Sequence, residues 1–82
     1  PETMYIDGRQ DLYLVRGENG VFWCRARIDT TGEGDWMEYG IAGLPSHDNK
    51  VVAQLQLDAY ARKEGLCVAS PIHIAAAGIA VA

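Results

Sequence analysis

Apolar and polar positions alternate through the first half of this chain, and then the period changes. From Asp11 to Arg16, and again from Val21 to Ile28, the alternation is that of a strand with one buried face. Gly17-Glu18-Asn19-Gly20 lies between the two runs. Asn-Gly tolerates the positive φ that a type I′ turn requires, so the runs are expected to pair as a hairpin. Phe22, Cys24, Ala26 and Ile28 then share one face, joined across the hairpin by Tyr13 and Val15. The opposite face carries Trp23, Arg25 and Arg27, with Leu12, Leu14 and Arg16 across from them.

A third alternating run, Trp36 to Ile41, extends the hairpin into a meander. It puts Met37, Tyr39 and Ile41 on one side and Trp36 and Glu38 on the other. Met4-Tyr5-Ile6 predicts a short edge strand closed by Asp7-Gly8, and Gly43-Leu44-Pro45 ends the meander. The period is helical from about His47 to Glu64. Ser46 or Asp48 suits the N-cap, Gly65 the terminus, and Arg62 and Lys63 the negative end of the helix dipole. Two apolar stripes run along this helix: Val51, Val52, Leu55 and Ala59 form one, and Ala53, Leu57, Tyr60 and Ala61 the other. A helix on a single sheet buries only one stripe. The apolar C-terminal tail is expected to cover the stripe of Leu57 and Tyr60, or a second copy of the chain to use it together with the tail. Within the tail, Leu66 to Ala69 suits a short strand and Ser70-Pro71 a helix start. A strand reading of Ile72–Ile74 and Ile79–Val81 competes with that helix. The fold expected is α+β: a three- to four-stranded antiparallel meander, one helix packed on one face, and an apolar C-terminal segment against the helix.

Composition narrows the classes further. The 82 residues carry a net charge of −4 and are 49% hydrophobic, too apolar for a disordered chain and short enough for a single domain. A domain of this size buries only about 60–65% of the surface its unfolded chain exposes, so oligomerisation is one way to add stability. No apolar run reaches the roughly 20 residues of a membrane-spanning helix. The polar, acidic start Pro1-Glu2-Thr3-Met4 lacks the pattern of a secretory leader. Cys24 and Cys67 lie in apolar surroundings and are expected to be reduced and buried, which fits a cytoplasmic chain; a single disulfide between them is the alternative.

Candidate chemistry is sparse. His47, His73, Cys24 and Cys67 show none of the short spacings of a zinc site, so no metal and no cofactor is expected. A Cys67–His73 nucleophile pair lacks an orienting third group. An N-terminal Pro1 amine resembles the base of tautomerase-like enzymes, but the polar Glu2-Thr3 follows it where those enzymes place an apolar strand. Asp29, Glu33 and Asp35 crowd one Gly-rich loop without the bidentate Glu of a calcium loop. No catalytic residue is assigned.

The strongest constellation is Trp23, Arg25 and Arg27 on one strand face, with Arg16 and Trp36 as neighbours. Alternating aromatic and basic residues grip nucleic acid on exposed sheets. The same residue types are enriched in protein–protein hot spots. They also arise where arginine stems simply pack over aromatic rings. The order hairpin, third strand, helix (Leu12 to Gly65) resembles the three-stranded domains at the N-termini of phage-type integrases and in plant AP2 factors. That layout implies DNA reading by the exposed face of Trp23, Arg25 and Arg27. An acidic chain favours a protein partner over nucleic acid. The expected function is therefore non-enzymatic binding, of the kind served by small acidic phage- or plasmid-type accessory proteins that block a host complex, anti-CRISPR proteins among them. Trp23, Arg25, Arg27, Arg16, Trp36, Glu33 and Asp35 are the candidate contact residues, and a DNA-binding module is the alternative.

Overall fold

The computed structural model describes residues 2–80. Its strands are β1 (Tyr5–Ile6), β2 (Leu12–Glu18), β3 (Val21–Asp29), β4 (Trp36–Gly40) and β5 (Cys67–Val68). Two helices, α1 (Lys50–Glu64) and α2 (Pro71–Ala76), are the other elements among the described residues. The α+β arrangement holds, with one strand more than expected. All five strands pair antiparallel in the order β4-β3-β2-β1-β5.

The β2–β3 hairpin follows from local chemistry. Asn19 (φ 53°) and Gly20 (φ 77°) both take the left-handed conformation, and the register sets Glu18 opposite Val21, Val15 opposite Cys24 and Tyr13 opposite Ala26. This is the two-residue turn and the facing that the alternation predicts. β1 is not an edge strand. β5, about sixty residues later in the chain, pairs Tyr5 with Val68 and Ile6 with Cys67, and so becomes the edge itself.

Helix α1 starts later than its apolar pattern implies. Asn49, not Ser46 or Asp48, is the N-cap, its side chain accepting from the amides of Val51 and Val52. His47 is instead drawn into an isolated bridge with Phe22, with reciprocal backbone bonds of 2.7 Å. Ala53, Leu57 and Ala61, spaced four residues apart, form the buried face against the sheet. The two alanines let the helix come close enough for the Cys24 thiol to donate to the Ala53 carbonyl at 3.4 Å. Cys24, Ala26, Ile41 and Leu57 form this core, with Tyr5, Tyr13, Val15, Ile28, Leu44 and Tyr60 packed around it.

The tail does not cover the helix. It crosses to the opposite side of the sheet, where Leu12, Ala69 and Ala77 form a second core bordered by Met4, Ile6, Trp36, Ile74 and Ile79. The sheet is therefore sandwiched between α1 and the short α2. Ser70 caps α2 with Pro71 in its first turn, as the Ser-Pro pair predicts. The helix stops after one and a half turns because Gly78 (φ 76°) reverses the chain into the left-handed region. Leu57 is fully buried against the sheet, so it is not a surface through which copies of the chain can meet. Both thiols are free, with Cys24 buried but Cys67 exposed on the β5 edge, against the expectation of two buried cysteines.

Candidate functional site

Side chains of β2, β3 and β4 that point away from α1 converge on one carboxylate. Glu38 stands opposite Arg27 in the β3–β4 register, and Arg16 stands opposite Trp23 in the β2–β3 register. Arg16 grips Glu38 in a fork, with Nε to Oε1 at 3.0 Å and Nη2 to Oε2 at 2.6 Å. Arg27 donates to the same Oε2 through Nη1 at 2.8 Å and to the Ala77 carbonyl through Nε at 2.6 Å. Arg25 donates to the backbone carbonyl of Glu38 at 3.0 Å. Two guanidinium groups thus bind one carboxylate and a third holds the carbonyl of the same residue, which leaves a local surplus of two positive charges on an acidic chain.

The electrostatics follow from these contacts. The Arg16 fork, reinforced by Arg27, outweighs partial burial and holds the Glu38 carboxyl below its ordinary value. The same hydrogen bonds to Glu38 raise Arg16 further, against the opposing effect of burial. Fork geometry fixes the planes of these groups, so the cluster is pre-organised rather than a set of waving surface charges.

The candidate residues fall into three places. Arg16, Arg25 and Arg27 come together with Trp23, which stays part-exposed across from Arg16. Trp36 does not join them. It lies opposite Asp29 at the far end of the face and packs into the core beneath the tail. Glu33 and Asp35 stay exposed in the 30–35 loop, away from the arginines in the register. That loop is shaped by Asp29, whose carboxylate accepts from the amides of Thr31, Gly32, Gly34 and Asp35 at 2.9–3.4 Å. Desolvation opposes ionisation of Asp29, but those four N–H donors prevail and lower its pKa. Among the described residues no group of three or more His, Cys, Asp or Glu side chains could hold a metal ion.

The sequence reading missed Glu38 as the hub. Its signal was available: Glu38 is the acidic residue in the middle of β4, on the face that carries Arg16, Arg25 and Arg27, whereas Glu18 and Asp29 stand at the ends of their strands. What the sequence lacked was the β3–β4 register. The histidines serve structure. The His73 ring Nδ1 lies 2.7 Å from Ser70 Oγ in the capping box of α2. Pro1, the candidate amine, lies outside the described residues.

Half of this face is closed. The segment after α2 lies over Leu12, Arg27 and Trp36, so the open half consists of Trp23, Arg16 and Arg25 near the hairpin tip. The face that an integrase-like or AP2-like layout would use is therefore open only in part. No helix among the described residues is long and apolar enough to cross a membrane. No family model matches the chain, and no solved structure matches it significantly.

Proposed function

We propose that this protein is a non-enzymatic binding module that docks an acidic protein surface on the open half of its basic face, through Trp23, Arg16 and Arg25. The observation that carries this reading is the convergence of three arginines on Glu38 beside a part-exposed tryptophan. Locking the guanidinium groups before contact reduces the side-chain entropy lost on binding. A tryptophan flanked by arginines has the composition of an interface hot spot. The surplus positive charge on a chain of net charge −4 selects an acidic partner and weakens attraction to nucleic acid in general. Blocking a host complex, as small phage- or plasmid-type accessory proteins do, is the biological role this reading favours. Glu33 and Asp35 form no part of the proposed contact.

Duplex DNA is the competing ligand, and the α2 segment argues against it. A duplex laid along three strands would collide with the segment held to Arg27 through Ala77. The two readings separate experimentally. Immobilised wild-type protein, Trp23→Ala and Arg25→Glu are compared for proteins retained from host extract and for retention of duplex DNA at rising salt. A protein retained by wild type and lost by both variants supports the reading. DNA retention that falls steeply with salt, or protein retention indifferent to both substitutions, overturns it.

A further inference from the structure

The outer face of α1 is apolar and uncovered. Val51 is 66% exposed and Leu55 60%, while Val52 and Ala59 are also exposed. They stand on the side of the helix opposite the buried Ala53–Leu57–Ala61 stripe. An open groove of about 420 Å³ runs beside them, lined by Glu2, Lys50, Val51, Gln54, Leu55 and Asp58. Charge is divided between the two ends of the helix. Exposed Asp48 lies just ahead of the N-cap, and exposed Arg62 and Lys63 occupy the last turn.

We infer that this face is a self-association surface, on which a second copy of the chain lays its own α1 antiparallel about a two-fold axis at Leu55. The spacing along the chain is self-complementary about that residue. Val51 and Ala59 lie four residues to either side, and Asp48 and Arg62 seven. The axis therefore sets Leu55 against Leu55 and Val51 against Ala59, and brings Asp48, just ahead of the N-cap, to the end of the second copy's helix that carries Arg62, with each Leu55 beside the other copy's groove. Such an isologous contact repeats each off-axis pair twice. Antiparallel packing also opposes the two helix dipoles. Parallel packing would place Arg62 and Lys63 against their own copies, a like-charge clash. Charge complementarity thus selects both the occupant and its direction. A 15-residue helix is about 22 Å long, a contact at the small end of specific interfaces, so the dimer forms and dissociates with concentration.

Sedimentation velocity on the full 82-residue chain, from micromolar to millimolar, tests this. Wild type is expected to shift from monomer to dimer over that range. Leu55→Glu is expected to stay monomeric throughout with an unchanged circular dichroism spectrum and Tm, because residue 55 faces solvent within the monomer. Asp48→Arg and Arg62→Asp each weaken the dimer several-fold, and the double exchange restores it. A monomer at millimolar concentration, or a dimer indifferent to Leu55→Glu, overturns the inference. A dimer that ignores both charge reversals overturns the antiparallel arrangement. The Trp23 face plays no part in this contact, so the outcome is independent of the proposed function.

Discussion

Replacing Glu38 by glutamine keeps the shape of the side chain and removes the charge on which Arg16 and Arg27 converge. The magnitude can be worked from exposure. The Arg16 side chain is 41% exposed, so its share is that of a surface pair, roughly 0.5 kcal/mol. Arg27 is 21% and Glu38 17% exposed, and their bond is charge-assisted, which sets its share at about 1–2 kcal/mol. Glu38→Gln should therefore cost about 2 kcal/mol, a fall in Tm of roughly 8–16 °C for a domain of this size. Thermal and urea unfolding followed by circular dichroism measure it, and a double-mutant cycle with Arg27→Met isolates the less exposed pair. The pH dependence has a definite sign. Glu38 is held below its ordinary value of 4.5, so its stabilisation is complete above that value and is lost as pH falls through the lower folded pKa. The gap between wild type and Glu38→Gln should then close in acid. A loss under about 0.5 kcal/mol at neutral pH would show that the cluster is no more than ordinary surface pairing and would remove the pre-organisation on which the proposed function depends.

Asp11 behaves in the opposite sense, since burial, then the charge of Asp7, raises its carboxyl, with Asp29 adding to the effect. Its ionised form destabilises the fold above the folded pKa, and that penalty disappears as pH falls below the unfolded one. Asp11→Asn is expected to raise Tm at neutral pH and to leave it unchanged in acid; a lower Tm at pH 7 would contradict this. Gly78→Ala forces a Cβ into the left-handed region, 3.3 Å from Arg27 Nη2, and should cost roughly 1–2 kcal/mol in urea unfolding. No loss there would mean that the turn after α2 does not fix Arg27. Removing residues 71–82 in a Trp23→Phe background should red-shift the fluorescence of Trp36 and lower Tm, because the tail covers that ring. An unchanged spectrum would show the tail undocked.

How much could be read from the chain depends on how far apart the interacting residues lie. The hairpin was legible because its signals are local: the alternation in Leu12–Glu18 and Val21–Asp29, joined by Asn19-Gly20. The end of α1 at Gly65 and the start of α2 at Ser70-Pro71 were legible for the same reason. The start of α1 was not, because the bridge from His47 to Phe22 takes up the residues that would otherwise have opened the helix. β1 read as an edge because its second partner, β5, lies far along the chain. Trp36 read as a companion of Trp23 because alternation gives a side chain its face but not its cover. Both tryptophans point the same way from the sheet, and only the docked tail separates them.

Local pattern in the chain suffices for the strands of the meander, the hairpin turn, the facing of their side chains and the existence of two apolar stripes on one helix. The expectation that the tail covers the Leu57 stripe, leaving Val51 and Leu55 for the sheet, is reversed, because both stripes satisfy the helical period and nothing local separates them. Tertiary structure decided for Ala53, Leu57 and Ala61, because alanines allow the close approach to the sheet that the bulkier Val51, Val52 and Leu55 would prevent. It also sent the tail to the other face, where Leu12 and Trp36 needed cover, and brought Glu38 beneath two arginines. Each of these depends on contacts between residues distant in the chain, whose pairing is set by packing and register rather than by local preference.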